Sequence, residues 1–399
     1  MKEKYPKDLF SVFFILCMFF LPHSLNAKDD TNGSNKANAH IRSDIIRGIE
    51  YLYDWKFDNA EKLFQKVISM ESKDPIGYFY LSMVTWSRMA AGFWTEEVIG
   101  KYKKRIEKTI SVAKKKIESG QADSFTYFYL GGSLGFKGRF QLMQYNWFSS
   151  YLVALDAIDK LKICLKMDPN NRDVLFGLGM YDYYTDRFSG FLKFLTYLFF
   201  HKGDKKEGLR KLHITANEAI YSSIEAKSLL LHIYLFLELD FHKARPIAEE
   251  MAERFKNCPN HSYLQGVTYI RLNLYSDYRK VVENYYRRSQ SETSSIIASL
   301  WSNRGHYLEA SYYLFHDQYD NARSELETIL SNNYPESDPF MAAWPLLKIG
   351  MSYDLEGRRG KALEYYNSVI EMENGGGAQF LAEKYVNKPV VKGAPFLGF

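Results

Sequence analysis

The chain has little with which to perform covalent chemistry. Its histidines from His201 to His316 (His201, His213, His232, His242, His261, His306 and His316) stand apart, and none pairs with another at i, i+4 or in a Cys/His run. That excludes the usual sequence pattern of a metal site. Gly375-Gly376-Gly377 follows a helical pattern instead of opening one, so no glycine-rich phosphate loop is offered. Cysteine is scarce, at three in 399 residues, which rules out a disulfide-dense scaffold. Charge of one sign is also scarce. A net charge of +5 is weak support for an anionic partner, and nucleic acid is not expected. The densest basic run, Lys101 to Lys116, has Ile106, Ile110, Ala113 and Ile117 at helical spacing and so predicts a solvated helix face.

Long apolar runs are missing except at the start. Lys2, Lys4 and Lys7 precede an apolar stretch from Leu9 to Leu21, then Pro22 and Leu25-Asn26-Ala27. This order predicts a signal peptide over 1–27 and an exported protein, in the periplasm or at the outer-membrane periphery of a Gram-negative cell. A polar, disordered leader is expected over 28–40. Of the two remaining cysteines, Cys164 falls at a small apolar position and reads as a buried thiol, whereas Cys258 beside Pro259 reads as an exposed loop residue.

What the chain has in abundance is rings, 31 Tyr and 28 Phe, and a repeated spacing that explains them. Gly48, Tyr51, Ala60, Phe64 and Val67 recur as Gly350, Tyr353, Ala362, Tyr366 and Val369, and the second half recurs as Ala157, Leu161, Cys164 and Pro169. Self-similarity of this kind is left by stacked helical hairpins. The displacement from Ile41 to Pro75 is 34 residues. With Leu346, Ile349 and Gly357 added to the last repeat, and with partial matches at Leu175, Leu178 and Gly179, at Ala244, Ala248 and Met251, and at Tyr313, Tyr319, Ala322, Leu326 and Ile329, the chain resembles the tetratricopeptide repeat (TPR) family. More narrowly it is similar to divergent exported bacterial repeat proteins and, loosely, to the Iml2-type repeat proteins. The resemblance implies an all-α, right-handed superhelical solenoid over 41–374, closed by a C-terminal cap and tail over 375–399 in which Phe396, Leu397 and Phe399 return to the last repeat.

Two aromatic insertions, 135–152 and 181–202, interrupt the array. Within the second, Gly190 to Phe200 reads as a buried plug, a membrane-interface segment or the wall of an apolar groove, and peripheral membrane association stays open with it. Repeat scaffolds bind along extended surfaces, and aromatic and arginine side chains carry most binding energy. Trp147, Tyr181, Tyr183, Tyr184 and Arg187 are therefore the candidate contacts for a protein or peptide partner. The reading is a non-enzymatic envelope scaffold without cofactor or metal. The alternative is an envelope enzyme or an apolar-ligand-binding protein with its site in the insertions, near Asp182.

Overall fold

The computed structural model describes residues 33–144, 146–187 and 203–399. These residues form 17 α-helices in consecutive packed pairs and contain no strand, as the repeat spacing predicts. Two compact units divide them, one from residues up to 87 together with 96–230, the other from 88–95 together with 231–399.

Unit one begins with α1 (Gly33–Tyr53) and α2 (Phe57–Met70). Helix α2 buries Phe57, Ala60, Phe64 and Val67, one stripe at i, i+3 and i+4 spacing. Gly48 on α1 lies so close that a Cβ there would meet the Phe64 ring at 2.4 Å. Asp44 ties the pair together through Lys66, at 2.6 Å. The unit continues through most of α3 (Pro75–Ala90), then α4 (Glu96–Glu118), α5 (Ser124–Met143), α6 (Trp147–Met167), α7 (Val174–Asp186), α8 (Lys205–Glu218) and most of α9 (Ser223–His232). Asp123 starts α5 with a reciprocal cap, accepting from the Thr126 amide at 2.7 Å.

Unit two carries a π turn (Ile233–Leu237), α10 (Phe241–Arg254), α11 (Pro259–Arg271), α12 (Tyr275–Ser291), α13 (Ser295–Phe315), α14 (Tyr319–Ser331), α15 (Phe340–Leu355), α16 (Arg359–Glu371), α17 (Ala378–Asn387) and a 3-10 turn (Pro395–Gly398). Gly350 on α15 repeats the contact of Gly48, since a Cβ there would lie 2.6 Å from the Tyr366 ring. Arg304, 1% exposed, forms two hydrogen bonds to the buried carboxylate of Asp338, joining α13 to the approach of α15.

A backbone repeat underlies the side-chain repeat. Trp55, Asn273, Asp317 and Gly357 sit in hairpin turns at positive φ (58, 57, 60 and 77°). The next amide in each case reaches back five residues, from Lys56 to Tyr51, Leu274 to Tyr269, Gln318 to Tyr313 and Arg358 to Tyr353, at 2.7–2.9 Å. This is a Schellman closure of the first helix. At Leu239 (φ 55°) the reach is one residue longer, from Asp240 to Tyr234 at 2.9 Å, because the helix before it contains the π turn.

Several expectations need correction. Helix begins at Gly33, so 33–40 is helical, while 1–32, and with it the expected signal segment, lies outside the described residues. The described part of 135–152 is built into helices. It forms the end of α5 and the start of α6, and its neighbour Gly131 marks a close approach where a Cβ would meet the Ala157 carbonyl of α6 at 3.0 Å. Cys258 is buried at 3% as the residue capping α11, and both described cysteines are free thiols. Cys164 is buried as expected, and burial first, then the charges of Asp168, Asp173 and Asp123, pushes its thiol up to about 12. The tail returns into the interior of unit two instead of resting only on the last repeat. Phe396 stacks on Phe236 of the π turn with centroids 6.1 Å apart, and Phe399 lies against Trp344 at 4.9 Å.

Candidate functional site

The side chain of Trp147 and residues 188–202, including Gly190 to Phe200, lie outside the described residues. Helix α7 places the other candidates on two faces. Tyr183 and Tyr184 point inward, at 0% and 3% exposure, and their rings meet edge to face at 5.1 Å. They are core, because a helix with apolar residues on both sides of its stripe buries successive positions. Tyr181 and Arg187 are half-buried, and Arg187 turns back over the Tyr183 ring at 5.7 Å. Asp182 bonds Lys211 of α8 at 2.5 Å instead of neighbouring tyrosines.

Elsewhere in unit one the interior holds incompletely satisfied polar groups. Glu225 is 6% exposed, and its Oε1 has no hydrogen-bond partner among the described residues; nor do the hydroxyls of Tyr102, Tyr184 and Ser133. Burial drives the Glu225 carboxyl well above the ordinary carboxylate range, against the opposing charge of Arg139. Arg139 itself lies over the Trp86 ring at 4.9 Å. No nucleophile elbow is expected of this chain, yet Gly131-Gly132-Ser133-Leu134-Gly135 has the Gly-x-Ser-x-Gly spacing of one. The elbow requires a strand-to-helix turn that exposes the serine. Here Ser133 is in the middle of α5 at 0% exposure, so the spacing has no such meaning.

In unit two a row of rings opens to solvent. Tyr278 of α12 stacks on Tyr312 of α13 (4.8 Å, 12°), Tyr312 stacks on His316 (4.0 Å), and Tyr275 covers both tyrosines from 5.8–5.9 Å. With Tyr269, Ile270 and Asn273 they line an open cavity of about 150 Å³. Tyr275 is 58% exposed, whereas Tyr278 is buried beneath it. Burial, assisted by the carboxylate of Glu249 that its hydroxyl contacts at 2.9 Å, pushes Tyr269 up to about 12. The face presents rigid rings that carry hydroxyls, a combination suited to protein surfaces. A Gly-x-x-Tyr pair, Gly266 and Tyr269, is the sequence signal that could have located it.

One cluster has the composition of a metal site. Ligand atoms of His306, Glu309 and Glu325 lie within 4.8 Å of one another. Each carboxylate and the facing His306 nitrogen is already engaged. His306 Nδ1 is 2.7 Å from Glu325, Tyr286 donates to Glu309 at 2.5 Å, and Arg279 donates to Glu309 at 2.8 Å. The set is a closed hydrogen-bond network linking α12, α13 and α14. His-x-x-Glu on α13 was its visible half in sequence.

No helix among the described residues is long and apolar enough to cross a membrane. No family model matches the chain, and no curated protein matches it. Among solved structures the chain is similar to yeast Tom70, at 11% identity over 88% of this chain and 96% of that one, with a TM-score of 0.37. It is also similar to the TPR domain of P58(IPK), at 13% identity over 88% and 99%, with a TM-score of 0.23.

Proposed function

We propose that the chain is a non-enzymatic scaffold that binds a protein or peptide partner through an aromatic-lined surface. The observation that carries this reading is the Tyr275–Tyr278–Tyr312–His316 stack, rings held in place by hairpin packing and open on one side. Rigid tyrosines lose little side-chain entropy when covered, which makes them efficient contacts. Tyr181 and Arg187 stay available as contacts in unit one, whereas Tyr183 and Tyr184 serve the core. Export by the N-terminal segment places the scaffold in the cell envelope, and intact mass of the exported form tests that location.

The binding test replaces Tyr275 and Tyr312 with Ser and compares capture from an envelope fraction with that of the wild type. Loss of the partner at an unchanged melting temperature supports the face. Unchanged capture rejects it.

A second reading is favoured by one observation in unit one. Buried polar groups are nearly always satisfied, and among the described residues Glu225 Oε1 and the hydroxyls of Tyr102, Tyr184 and Ser133 are not. A small ligand that reaches any of these groups would supply the missing partner. Native mass spectrometry of protein purified from its own envelope tests this reading, since a bound small molecule would travel with the folded chain.

A further inference from the structure

We infer that Pro395–Phe399 is an intramolecular ligand, seated in a peptide-binding interior of unit two that also accepts a partner segment of the same Phe-Leu-Gly-Phe chemistry. The inference stands apart from the tyrosine face and is tested apart from it.

The seat recognises side chains and backbone alike. Phe236 of the π turn meets both Phe396 (6.1 Å, rings 4° from parallel) and Phe399 (5.2 Å). Trp344 of α15 closes over Phe399 at 4.9 Å, and Leu397 is 0% exposed. Gly398 fits a gap in which a Cβ would lie 2.8 Å from Val267 and 3.1 Å from Phe315, so the seat discriminates by shape at that position. Two hydroxyls then read the main chain. Tyr307 donates to the Phe399 backbone oxygen at 2.9 Å and Tyr263 at 3.2 Å. Apolar pockets for alternate side chains plus hydrogen bonds to the backbone are how a protein binds an extended peptide.

The polar floor of the seat points the same way. Lys348 is 0% exposed, donates to Ser311 at 2.5 Å and to Tyr263 at 3.0 Å, and lies 3.8 Å from the Tyr307 ring centre. A core serving stability alone does better with an apolar side chain than with a buried amine. A seat that is periodically uncovered and wetted tolerates one.

The path into the seat is exposed on either side of a buried Val390, whose amide donates to Asp354 at 3.1 Å. Residues 387–389 and 391–393 are exposed, with Val391 at 61%, and Gly393 turns the chain at φ 71°. The outer anchor is an exposed ion pair of Lys392 with Asp317, a kind of contact that adds little stability. A short tether keeps the strap at a high local concentration, so a free partner segment must outcompete it.

The test cuts the strap in protein that has already folded. A protease recognition sequence is inserted between Lys392 and Gly393, the full chain is purified and cleaved, and a fluorescent peptide of residues 393–399 is added. Saturable binding to the cleaved protein is expected, at least about tenfold tighter than to uncut protein. A peptide carrying Phe396→Ala should bind at least about tenfold more weakly. Retention of the cleaved segment through prolonged dialysis against excess peptide would make it a permanent part of the core and overturn the proposal. Unfolding on its release, or equal binding to cut and uncut chains, would overturn it equally.

Discussion

Glu225 in unit one and Lys348 in unit two pose one physical problem with opposite signs. Each is an ionisable side chain almost wholly removed from water, and burial drives each toward its neutral form. Their surroundings differ. Lys348 has two hydroxyls and a ring face around it, and one of those hydroxyls, Tyr263, donates to the Phe399 oxygen of the strap. Glu225 has a carboxyl oxygen with no hydrogen-bond partner among the described residues. Arg304 with Asp338 is the paired case beside them, a buried cation that has its carboxylate. The fold supplies the polar contacts of the buried amine, whereas among the described residues it supplies none to one oxygen of the buried carboxyl.

The largest effect should come from breaking the paired case. Arg304→Ala strands the Asp338 carboxylate in the interior and should cost about 3–5 kcal/mol in urea unfolding. A loss no larger than that of a surface substitution would mean that the pair is open to water. Next, Gly48→Leu and Gly350→Leu should each cost about 1–3 kcal/mol, because both push a side chain into a ring already in contact. Unequal losses in matched melts would show that the two hairpin locks differ between units.

The pH dependences should run in opposite directions. Above 4.5 the unfolded chain releases the Glu225 proton that the folded chain retains. Stability from this group is thus present below 4.5 and lost as pH rises through its raised folded value. For Lys348 the unfolded chain holds a proton the folded chain lacks between its lowered folded value and 10.5, so stability rises with pH across that window. Glu225→Gln should flatten the falling slope and Lys348→Met the rising one, the latter with a gain of about 1 kcal/mol near neutral pH. Denaturant midpoints of wild type and variants across the pH range decide it. A slope unchanged by the substitution clears that residue. Smallest of all, Lys104→Ala on the solvated face of α4 should change stability by less than about 0.5 kcal/mol.

The all-α class and the glycine–ring locks were legible because they repeat within a few residues. The α11–α12 hairpin was harder to see. It has Gly266 and Tyr269 at the right spacing, but the position that holds Ala in its relatives holds Tyr278. Turn geometry was legible only at Gly357, since the same left-handed conformation is carried at Trp55, Asn273 and Asp317 by residues that do not announce it. The functional surfaces were less legible still. Tyr183 and Tyr184 share the composition of a contact site, yet helical phase sends both inward. Arg304 meets Asp338 across 34 positions, and Lys348 meets Tyr263 across 85. Such pairings depend on which hairpins become neighbours, and no local spacing encodes that.

The π turn has a further consequence, for how such a chain can change length. In the regular hairpins nine positions separate the tyrosine that closes the turn from the small-site residue: Tyr51 to Ala60, Tyr313 to Ala322, Tyr353 to Ala362. From Tyr234 to Ala244 the step is ten. The surplus residue is absorbed inside the helix, where the Tyr234 carbonyl simply receives its partner one residue later. A single residue advances an ordinary helix by about 100° and would swing its buried stripe out of alignment. The widened turn takes up that angle, leaving Leu231 to Phe236 buried without a break. A codon gained at this point is silent to the stacking of the hairpins, and it is heard only by a search that insists on a fixed period.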